Sequence, residues 1–311
     1  MKENRIQTVS VIGCGYMGWV FGLHCAIHGY PVNIYDINQE AIDRAKEQIS
    51  QELDAQKDKR LITPEEKQAI LRRISFTQDL QNAVATADFV FETVPEKLEL
   101  KREIFARLDR FSPAETILAT GSSSLPVSRI EDATKRPDRV LNTHFYPPIW
   151  EMPMVELMRG TATSEETLDR VRQFMNDIEV VSLMVLKEST GFLFNRIWRA
   201  IKKECLTVAD TGVATFEDVD RAWSIFMAIF KKFPGPFALM DSIGLDTVLD
   251  IEKVYHQKSG NSADAPPKIL TDKVENRELG LKTGKGFYTY PRPAFEKDDW
   301  LPIGKRAGSE D

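Results

Sequence analysis

A glycine-rich loop near the N-terminus is the first segment whose residue types point to chemistry. The apolar run 9–12 leads into Gly13-Cys14-Gly15-Tyr16-Met17-Gly18, and a predicted helix follows. Glycines between a strand and a helix let the backbone approach a pyrophosphate, and the helix N-terminus supplies N–H donors. We therefore expect this loop to bind a dinucleotide. The residues expected to contact it are Gly13, Gly15, Met17 and Gly18.

An acidic residue at the end of the next predicted strand bears on which dinucleotide is bound. Asp36 lies about 20 residues beyond the loop, where a carboxylate accepts a hydrogen bond from the ribose 2′-OH. A carboxylate repels the 2′-phosphate of NADP, and the following Ile37 and Asn38 carry no charge, although Arg44 lies further along. These features predict NAD as the cofactor. The alternative is a structural turn, with an aspartate that only caps the next helix.

The composition limits the class of protein. The 311 residues suggest two domains, and 42% hydrophobic with 28% charged residues is typical of globular proteins. The net charge is −6 and no long basic run occurs, so we expect no nucleic-acid partner. Three scattered cysteines and four histidines without CxxC or HExxH spacing predict no metal site. Without a signal-peptide pattern or about 20 consecutive apolar residues, we expect a soluble cytoplasmic protein and no membrane partner.

The first half of the chain alternates short apolar runs with helical patterns. This order predicts an α/β domain with a mostly parallel sheet covered by helices. The predicted strands are 8–12, 32–36, 89–94, 116–120, 139–144, 154–158 and 180–185. The predicted helices are 17–28, 39–57, 64–73, 98–108 and 165–176. Residues 41–73 are interpreted as a charged two-helix excursion, in which Thr63 caps a helix that begins with Pro64.

The second half contains helical patterns alone. Strand patterns stop at about Ser189, which predicts an all-α domain. The predicted helices are 192–208, 216–230, 236–254 and 266–278. We place the domain boundary at 187, giving domains 1–187 and 188–311. The charged, proline-containing tail from Pro291 is predicted to be a loosely held arm.

Further motifs occur along the chain in a fixed order. In the first half they are 92–101, 121–125, 144–148 and 155–156. In the second half they are 190–196, 234–237, 244–246 and 279–288. Together with the glycine loop, they resemble the 3-hydroxyacyl-CoA dehydrogenase family over about residues 7–290. The resemblance implies a Rossmann-type NAD domain with a helical excursion, then an all-α C-terminal domain that mediates dimerisation, with the active site in the cleft between them.

The resemblance also assigns a catalytic set. His144 matches the family's catalytic base and Glu156 the acid that holds it, while Ser123 matches the serine that binds the substrate's 3-oxygen. Asn195 matches the amide that orients the substrate. A base is chemically required, because removing a hydride from a secondary alcohol also requires removing its proton, and imidazole titrates near working pH. Without the resemblance, a histidine ending an apolar strand would be interpreted as structural.

Other matched positions concern ligand binding. Glu96 and Lys101 match positions around the nicotinamide ribose, and Lys282 matches a lysine that reaches the cofactor region. Lys59 falls where the family has a CoA-contacting lysine. The remaining histidines, which match no motif, are interpreted as structural or surface residues: His24, His28 and His256.

Several positions depart from the family pattern. Pro147 stands where the family's HFFNP motif has asparagine, and Gly121 replaces another asparagine. Trp19 follows the third glycine, where the family has a small residue. Near Lys59, Glu52 replaces a small polar residue and Ala55 a common lysine. An acid near phosphates is unfavourable, which weakens the expectation of CoA binding.

Three functions compete on these residues. The leading prediction is an NAD-dependent L-3-hydroxyacyl-CoA dehydrogenase of the short-chain, 3-hydroxybutyryl type, an oxidoreductase of fatty acid metabolism and a homodimer. The alternative is a CoA-free 3-hydroxy acid dehydrogenase, similar to gulonate or carnitine dehydrogenases, which the two prolines after the histidine motif favour. The third is a non-catalytic, crystallin-like NAD-binding protein, which the intact Ser123, His144, Glu156 and Asn195 disfavour.

Overall fold

Eight strands form one sheet in the computed structural model, which describes residues 5–228 and 235–297. The strand order is β3-β2-β1-β4-β5-β6-β7-β8, and neighbouring strands are parallel except for β6 and β7, which are antiparallel. The strands are β1 (Val9–Ile12), β2 (Val32–Tyr35), β3 (Ile74–Thr77), β4 (Phe89–Glu92), β5 (Ile117–Thr120), β6 (Val140–Phe145), β7 (Met154–Arg159) and β8 (Val181–Val185). The predicted Rossmann-type α/β class is confirmed.

Six helices connect the strands and five follow the last strand. The connecting helices are α1 (Tyr16–Ile27), α2 (Gln39–Asp58), α3 (Pro64–Arg72), α4 (Leu80–Val84), α5 (Leu98–Phe111) and α6 (Glu165–Asp177). The later ones, within the described residues, are α7 (Phe194–Asp210), α8 (Phe216–Met227), α9 (Pro236–Ile243), α10 (Leu245–Ser259) and α11 (Lys268–Glu275).

The chain divides into two compact units, one reaching Arg199 and the other beginning at Ala200. In the first unit, alternate strand residues enter separate apolar clusters, because successive side chains of a strand point to opposite faces. Phe89 and Phe91 belong to one cluster and Val90 to the other. The predicted boundary at 187 stays a prediction.

The helical excursion forms as its end signals indicate. Thr63 accepts a hydrogen bond from the Glu66 backbone N–H at 3.2 Å, and the Glu66 carboxylate accepts from the Thr63 N–H at 2.7 Å. This reciprocal capping, with Pro64 in the first helical turn, begins α3 where the sequence predicts it. The excursion therefore consists of two helices, α2 and α3, between β2 and β3.

Three elements differ from the prediction. Strand β3 and the short helix α4 were not predicted, because β3 is a half-exposed edge strand without an apolar run. The predicted helix 236–254 is wrong: Gly244, with φ of 101°, separates α9 from α10. The end of the predicted helix at Phe230 lies outside the described residues, as do 298–311 of the predicted arm.

Two properties of the described residues bear on function. None of their helices combines the length and apolar character needed to cross a bilayer. No group of three or more His, Cys, Asp and Glu side chains in this part of the chain is placed to hold a metal ion.

Candidate functional site

The carboxyl ends of five parallel strands place the predicted site residues along one edge of the sheet. Gly13 follows β1, Asp36 follows β2 and Glu96 lies in the loop after β4. Ser123 lies in the loop after β5, and His144 is the penultimate residue of β6. Ligands of open α/β sheets bind at this edge. Residues up to 131 positions apart in sequence therefore share one region because the strands are parallel.

The glycine loop leaves the start of α1 open to a ligand. A Cβ on Gly18 would lie 1.9 Å from the Gly13 carbonyl oxygen, and Gly13 has a φ of +98°. Larger residues are therefore excluded from both positions. Gly15 is the N-cap of α1, provides no side chain to its first N–H groups and borders open space. A helix N-terminus of this form fits a pyrophosphate.

The Asp36 carboxylate is oriented by the glycine loop. Its Oδ2 accepts from the Cys14 backbone N–H at 3.0 Å, and its Oδ1 accepts from the Asn38 N–H at 2.9 Å. Burial, followed by the charge of Asp36, raises the pKa of the Cys14 thiol to about 12, so this thiol stays protonated. Arg44, the nearest basic residue further along the chain, has its guanidinium 3.9 Å from the Glu40 carboxylate. Asp36 is thus held in place as a carboxylate acceptor.

Antiparallel pairing of β6 and β7 sets His144 directly opposite Glu156. The His144 Nδ1 lies 3.0 Å from Glu156 Oε2, and its Nε2 lies 3.1 Å from Ser123 Oγ. Glu156 is fully buried and His144 is 5% exposed, whereas Ser123 is exposed. The imidazole therefore connects a buried carboxylate to a hydroxyl that a substrate can reach.

Glu156 accepts hydrogen bonds from four donors. Besides His144, the Tyr146 hydroxyl donates to Oε2 at 3.0 Å. The backbone N–H groups of Leu193 and Phe194 donate to Oε1 at 2.9 and 2.7 Å. Burial acts to raise the pKa of Glu156, but these four hydrogen bonds outweigh it and hold that pKa below its usual value. Glu156 is therefore ionised at neutral pH.

Aromatic rings enclose the imidazole. Phe192 stacks on His144 with centroids 4.5 Å apart, and Tyr146 meets it edge to face at 4.8 Å. Asn195 follows Phe194 in the first turn of α7, next to the N–H groups that Glu156 binds. Sequence reasoning missed Tyr146, Phe192 and the two backbone donors. Of these, only Tyr146 has a signal in the sequence: it lies two residues beyond His144, and side chains two residues apart in an extended chain point to the same face.

A second buried carboxylate supports the loop that carries Ser123. Lys101 is 1% exposed and donates to Glu92 Oε1 and Oε2 at 2.8 and 3.1 Å, and Thr120 donates to the same carboxylate at 2.7 Å. The Lys101 ammonium also lies 3.3 Å from Glu96. Lys101 is thus enclosed between two acids, and its predicted contact with the nicotinamide ribose stays a prediction.

Glu96 holds the serine loop directly. Its Oε1 accepts from the Ser122 hydroxyl, from the Ser124 N–H at 3.1 Å and from the Ser124 hydroxyl at 2.8 Å. Burial acts to raise the pKa of Glu96, but the Ser122 and Ser124 hydrogen bonds and the Lys101 charge lower it to about 2. The residues on both sides of Ser123 are therefore anchored to one carboxylate. The predicted contact of Glu96 with the cofactor stays a prediction.

The other two lysines predicted to bind ligands, Lys59 and Lys282, lie in different units. Lys59 is exposed at the end of α2, and Glu52 on the same helix accepts from Gln56 at 3.0 Å. Lys282, in the second unit, pairs with the Asp246 carboxylate. The roles of both lysines stay predictions.

The C-terminal motif that contains Lys282 is organised by a buried acid. Asp241 is 1% exposed and accepts from the Phe287 and Tyr288 N–H groups, both at 2.9 Å. The Tyr290 hydroxyl donates to it at 3.0 Å. The glycines of the motif pack against this residue, since a Cβ on Gly280 would lie 2.2 Å from its carbonyl oxygen. The motif thus has a structural basis within the second unit.

Comparison with known proteins gives two family matches that together span most of the chain. Residues 8–189 match the 3-hydroxyacyl-CoA dehydrogenase NAD binding domain, and residues 191–290 match the C-terminal domain of that enzyme. A probable 3-hydroxybutyryl-CoA dehydrogenase of Bacillus subtilis is 38% identical, covering 92% of this chain and 98% of its own length.

Two further relatives extend the comparison. A solved 3-hydroxyacyl-CoA dehydrogenase structure from Archaeoglobus fulgidus is 30% identical with a TM-score of 0.77, covering 93% of this chain and 94% of that one. The 5-formyl-3-hydroxy-2-methylpyridine 4-carboxylate 5-dehydrogenase of Mesorhizobium japonicum is 29% identical, covering 92% of this chain and 91% of its own length. The sequence motifs, the mostly parallel Rossmann-type sheet and the family matches all indicate the same family. The chain belongs to the 3-hydroxyacyl-CoA dehydrogenase family of NAD-dependent oxidoreductases.

Proposed function

We propose that this protein interconverts a short-chain L-3-hydroxyacyl-CoA, such as 3-hydroxybutyryl-CoA, and the corresponding 3-ketoacyl-CoA. The observation that carries the proposal is His144, placed between the buried Glu156 and the accessible Ser123. This arrangement suits proton removal from a secondary alcohol. The name of the Bacillus subtilis relative supports the 3-hydroxybutyryl substrate. A cytoplasmic location and a role in fatty acid metabolism remain predictions from the sequence.

The residues of the site divide the work of proton transfer. Ser123 hydrogen-bonds the substrate's 3-oxygen, and His144 Nε2 takes the proton of that hydroxyl during oxidation. Glu156 keeps the proton of the neutral imidazole on Nδ1 and stabilises the imidazolium that forms, as a carboxylate does in a Ser-His-Asp triad. In the reductive direction the same imidazolium returns the proton. Asn195 orients the substrate from the first turn of α7.

The cofactor contacts follow from the open start of α1. Gly13, Gly15, Met17 and Gly18 would hold the pyrophosphate of NAD, and Asp36 would accept a hydrogen bond from the adenosine ribose. The bound cofactor would supply the hydride acceptor for oxidation at the substrate's C3 and, in its reduced form, the hydride donor for the reverse direction. The chain's contribution is to orient the two ligands at the carboxyl edge of the sheet.

A CoA-free 3-hydroxy acid dehydrogenase is the second candidate. Glu52 adds negative charge to the helix that ends at Lys59, which disfavours a phosphate-bearing substrate. The Mesorhizobium japonicum relative is named for a pyridine carboxylate rather than a CoA thioester. Both candidates use the same His144 chemistry, so they differ in substrate recognition alone.

We also infer a homodimer through the second unit. Helices α7 and α8 carry large apolar side chains that are exposed, among them Leu206, Phe216 and Ile225 at 67–77% exposure. Exposed apolar surface of this kind marks association sites. A second copy of the chain is the occupant that the resemblance implies.

Assays of NADH oxidation test both the proposed substrate and the proposed catalytic base. We expect the wild-type protein to oxidise NADH with acetoacetyl-CoA far faster than with free acetoacetate. His144→Gln should lower kcat about 10²–10⁴-fold with little change in NADH affinity, because general acid–base catalysis contributes that much. His256→Gln, at a partly exposed histidine of the second unit, is the control. Comparable rates with free acetoacetate would favour the CoA-free candidate, and full activity of folded His144→Gln would exclude His144 as the base.

Asp36 should determine the preference for NADH over NADPH. Removing its carboxylate in Asp36→Ala deletes a charged hydrogen bond worth about 1.5–3 kcal/mol, so kcat/KM for NADH should fall at least about tenfold. The value for NADPH should stay constant or rise. Asp43→Ala, an exposed acid on α2, should change neither value. A wild-type preference for NADPH would contradict the assignment.

The proposed contact between Lys59 and CoA can be tested by measuring the KM for acetoacetyl-CoA. A contact between an exposed lysine and a phosphate is worth about 1 kcal/mol and is screened by salt. Lys59→Glu should therefore raise the KM for acetoacetyl-CoA several-fold, and Glu52→Ser should lower it, with both effects shrinking at high ionic strength. Lys46→Glu on the same helix is the control. If KM responds to neither change, the excursion does not bind CoA.

The dimer is tested by sedimentation velocity. We expect the wild-type protein to sediment as a dimer and Ile225→Lys to shift it towards monomer, because a buried ammonium in an apolar interface is strongly unfavourable. Leu61→Lys, an exposed leucine in the first unit, should leave the dimer intact. A monomeric wild-type protein at micromolar concentration would disprove the inference.

A further inference from the structure

A tyrosine hydroxyl shares the carboxylate oxygen that holds the proposed base. Tyr146 Oη and His144 Nδ1 each lie 3.0 Å from Glu156 Oε2. The other oxygen of Glu156 is already occupied by the Leu193 and Phe194 N–H groups. We propose that Tyr146 is a positioning residue that sets, through Glu156, the pH range in which His144 accepts a proton. This inference rests on the proposed role of His144 as the base.

The physical reason is competition for one negative charge. A hydrogen bond to an ionised carboxylate withdraws charge from the oxygen that accepts it and is stronger than one between neutral groups. Each such donor reduces the charge that Glu156 can offer to an imidazolium at His144. Glu156 is fully buried, so solvent does not take over the role of the hydroxyl. The effect of Tyr146 is therefore transmitted directly to His144.

The hydroxyl remains a donor over the working pH range. Burial, the charge of Glu156 and its hydrogen bond raise the pKa of Tyr146 well above its usual value, and the Asn195 backbone N–H opposes them weakly. Glu156 in turn is ionised, because its hydrogen bonds outweigh burial and lower its pKa. Over the working pH range, this hydrogen bond therefore joins a neutral donor, the Tyr146 hydroxyl, to a charged acceptor, the Glu156 carboxylate.

The groups that face Glu156 come from three neighbouring elements. From β6 and the residue after it come His144 and Tyr146, and from the segment that leads into α7 come the backbone N–H groups of Leu193 and Phe194. On β8, the residue paired with Glu156 is the uncharged Leu183. Ser123, from the loop after β5, reaches His144 but is not ionisable in this range. Among the described residues, the ionisable side chains hydrogen-bonded to Glu156 are therefore His144 and Tyr146.

The tyrosine ring has a separate packing role, which makes a clean substitution available. The ring contacts His144 edge to face at 4.8 Å and Phe194 at 5.4 Å. Tyr146→Phe keeps both ring contacts and removes one oxygen atom. Tyr30→Phe is the matched control, because the Tyr30 hydroxyl also faces a carboxylate, Asp177 at 3.5 Å, before β2 at the opposite edge of the sheet.

The test compares pH profiles of the intact enzyme with NAD bound. In Tyr146→Phe, Glu156 presents more charge, so His144 should hold its proton more tightly. The pH of half-maximal kcat/KM for 3-hydroxybutyryl-CoA oxidation should rise by about 0.5–1 unit. Tyr30→Phe should leave that midpoint unchanged. An unchanged or lowered midpoint in folded Tyr146→Phe overturns the proposal, even if kcat or thermal stability falls.

A second readout does not depend on the substrate. The imidazole of His144 can be titrated by ¹H–¹⁵N NMR of NAD-bound protein, with its signal assigned by its loss in His144→Gln. The same upward shift is expected in Tyr146→Phe, and its absence overturns the proposal. If the wild-type protein does not act on 3-hydroxybutyryl-CoA, the proposed function fails, but the titration still decides the role of Tyr146.

Discussion

The buried carboxylate of Glu156 is the constraint on which the site depends. A fully buried anion is costly unless its lone pairs are satisfied, and four donors from two chain segments satisfy this one. Two of them are the backbone N–H groups of Leu193 and Phe194, where α7 begins and the helix dipole also favours a negative charge. The same carboxylate therefore fixes the imidazole of His144 and the first turn of α7, including the position of Asn195.

Sheet topology explains how this carboxylate reaches the histidine. Strands β1, β2 and β4 to β6 run parallel and deliver the glycine loop, Asp36 and the serine loop to one edge. Strand β7 runs antiparallel to β6, and their register pairs His144 directly with Glu156. A second enclosed carboxylate, Glu92, with Lys101, supports the serine loop from the β4 side through Glu96. The buried Glu156 thus holds His144 directly, whereas the buried Glu92 acts on the loop of Ser123 through Lys101 and the exposed Glu96.

The sequence predicts those features that depend on local pattern. Seven strands and the α3 capping box follow from apolar runs and end signals, and their bounds agree with the structure to within about two residues. Strand β3 lacks such a pattern because it is half-exposed, and the break at Gly244 requires a positive φ that a helical pattern does not reveal. The enclosure of Lys101 and the backbone donors to Glu156 depend on tertiary packing, so composition and spacing cannot reveal them. The roles of individual site residues stay predictions.

Two of the departures from the family motif, Gly121 and Pro147, have a physical explanation in the folded chain. A Cβ at Gly121 would lie 2.8 Å from the Phe91 ring, which packs 5.4 Å from Phe145, so this core leaves no room for an asparagine at that position. A polar contact to the same loop comes instead from Asn142, whose Nδ2 donates to the Ser122 carbonyl at 2.9 Å. Pro147 offers no side-chain donor, yet both nitrogens of His144 already have partners and the adjacent Tyr146 supplies a hydroxyl to Glu156. The pairing of His144 with a buried carboxylate is therefore present without either family asparagine.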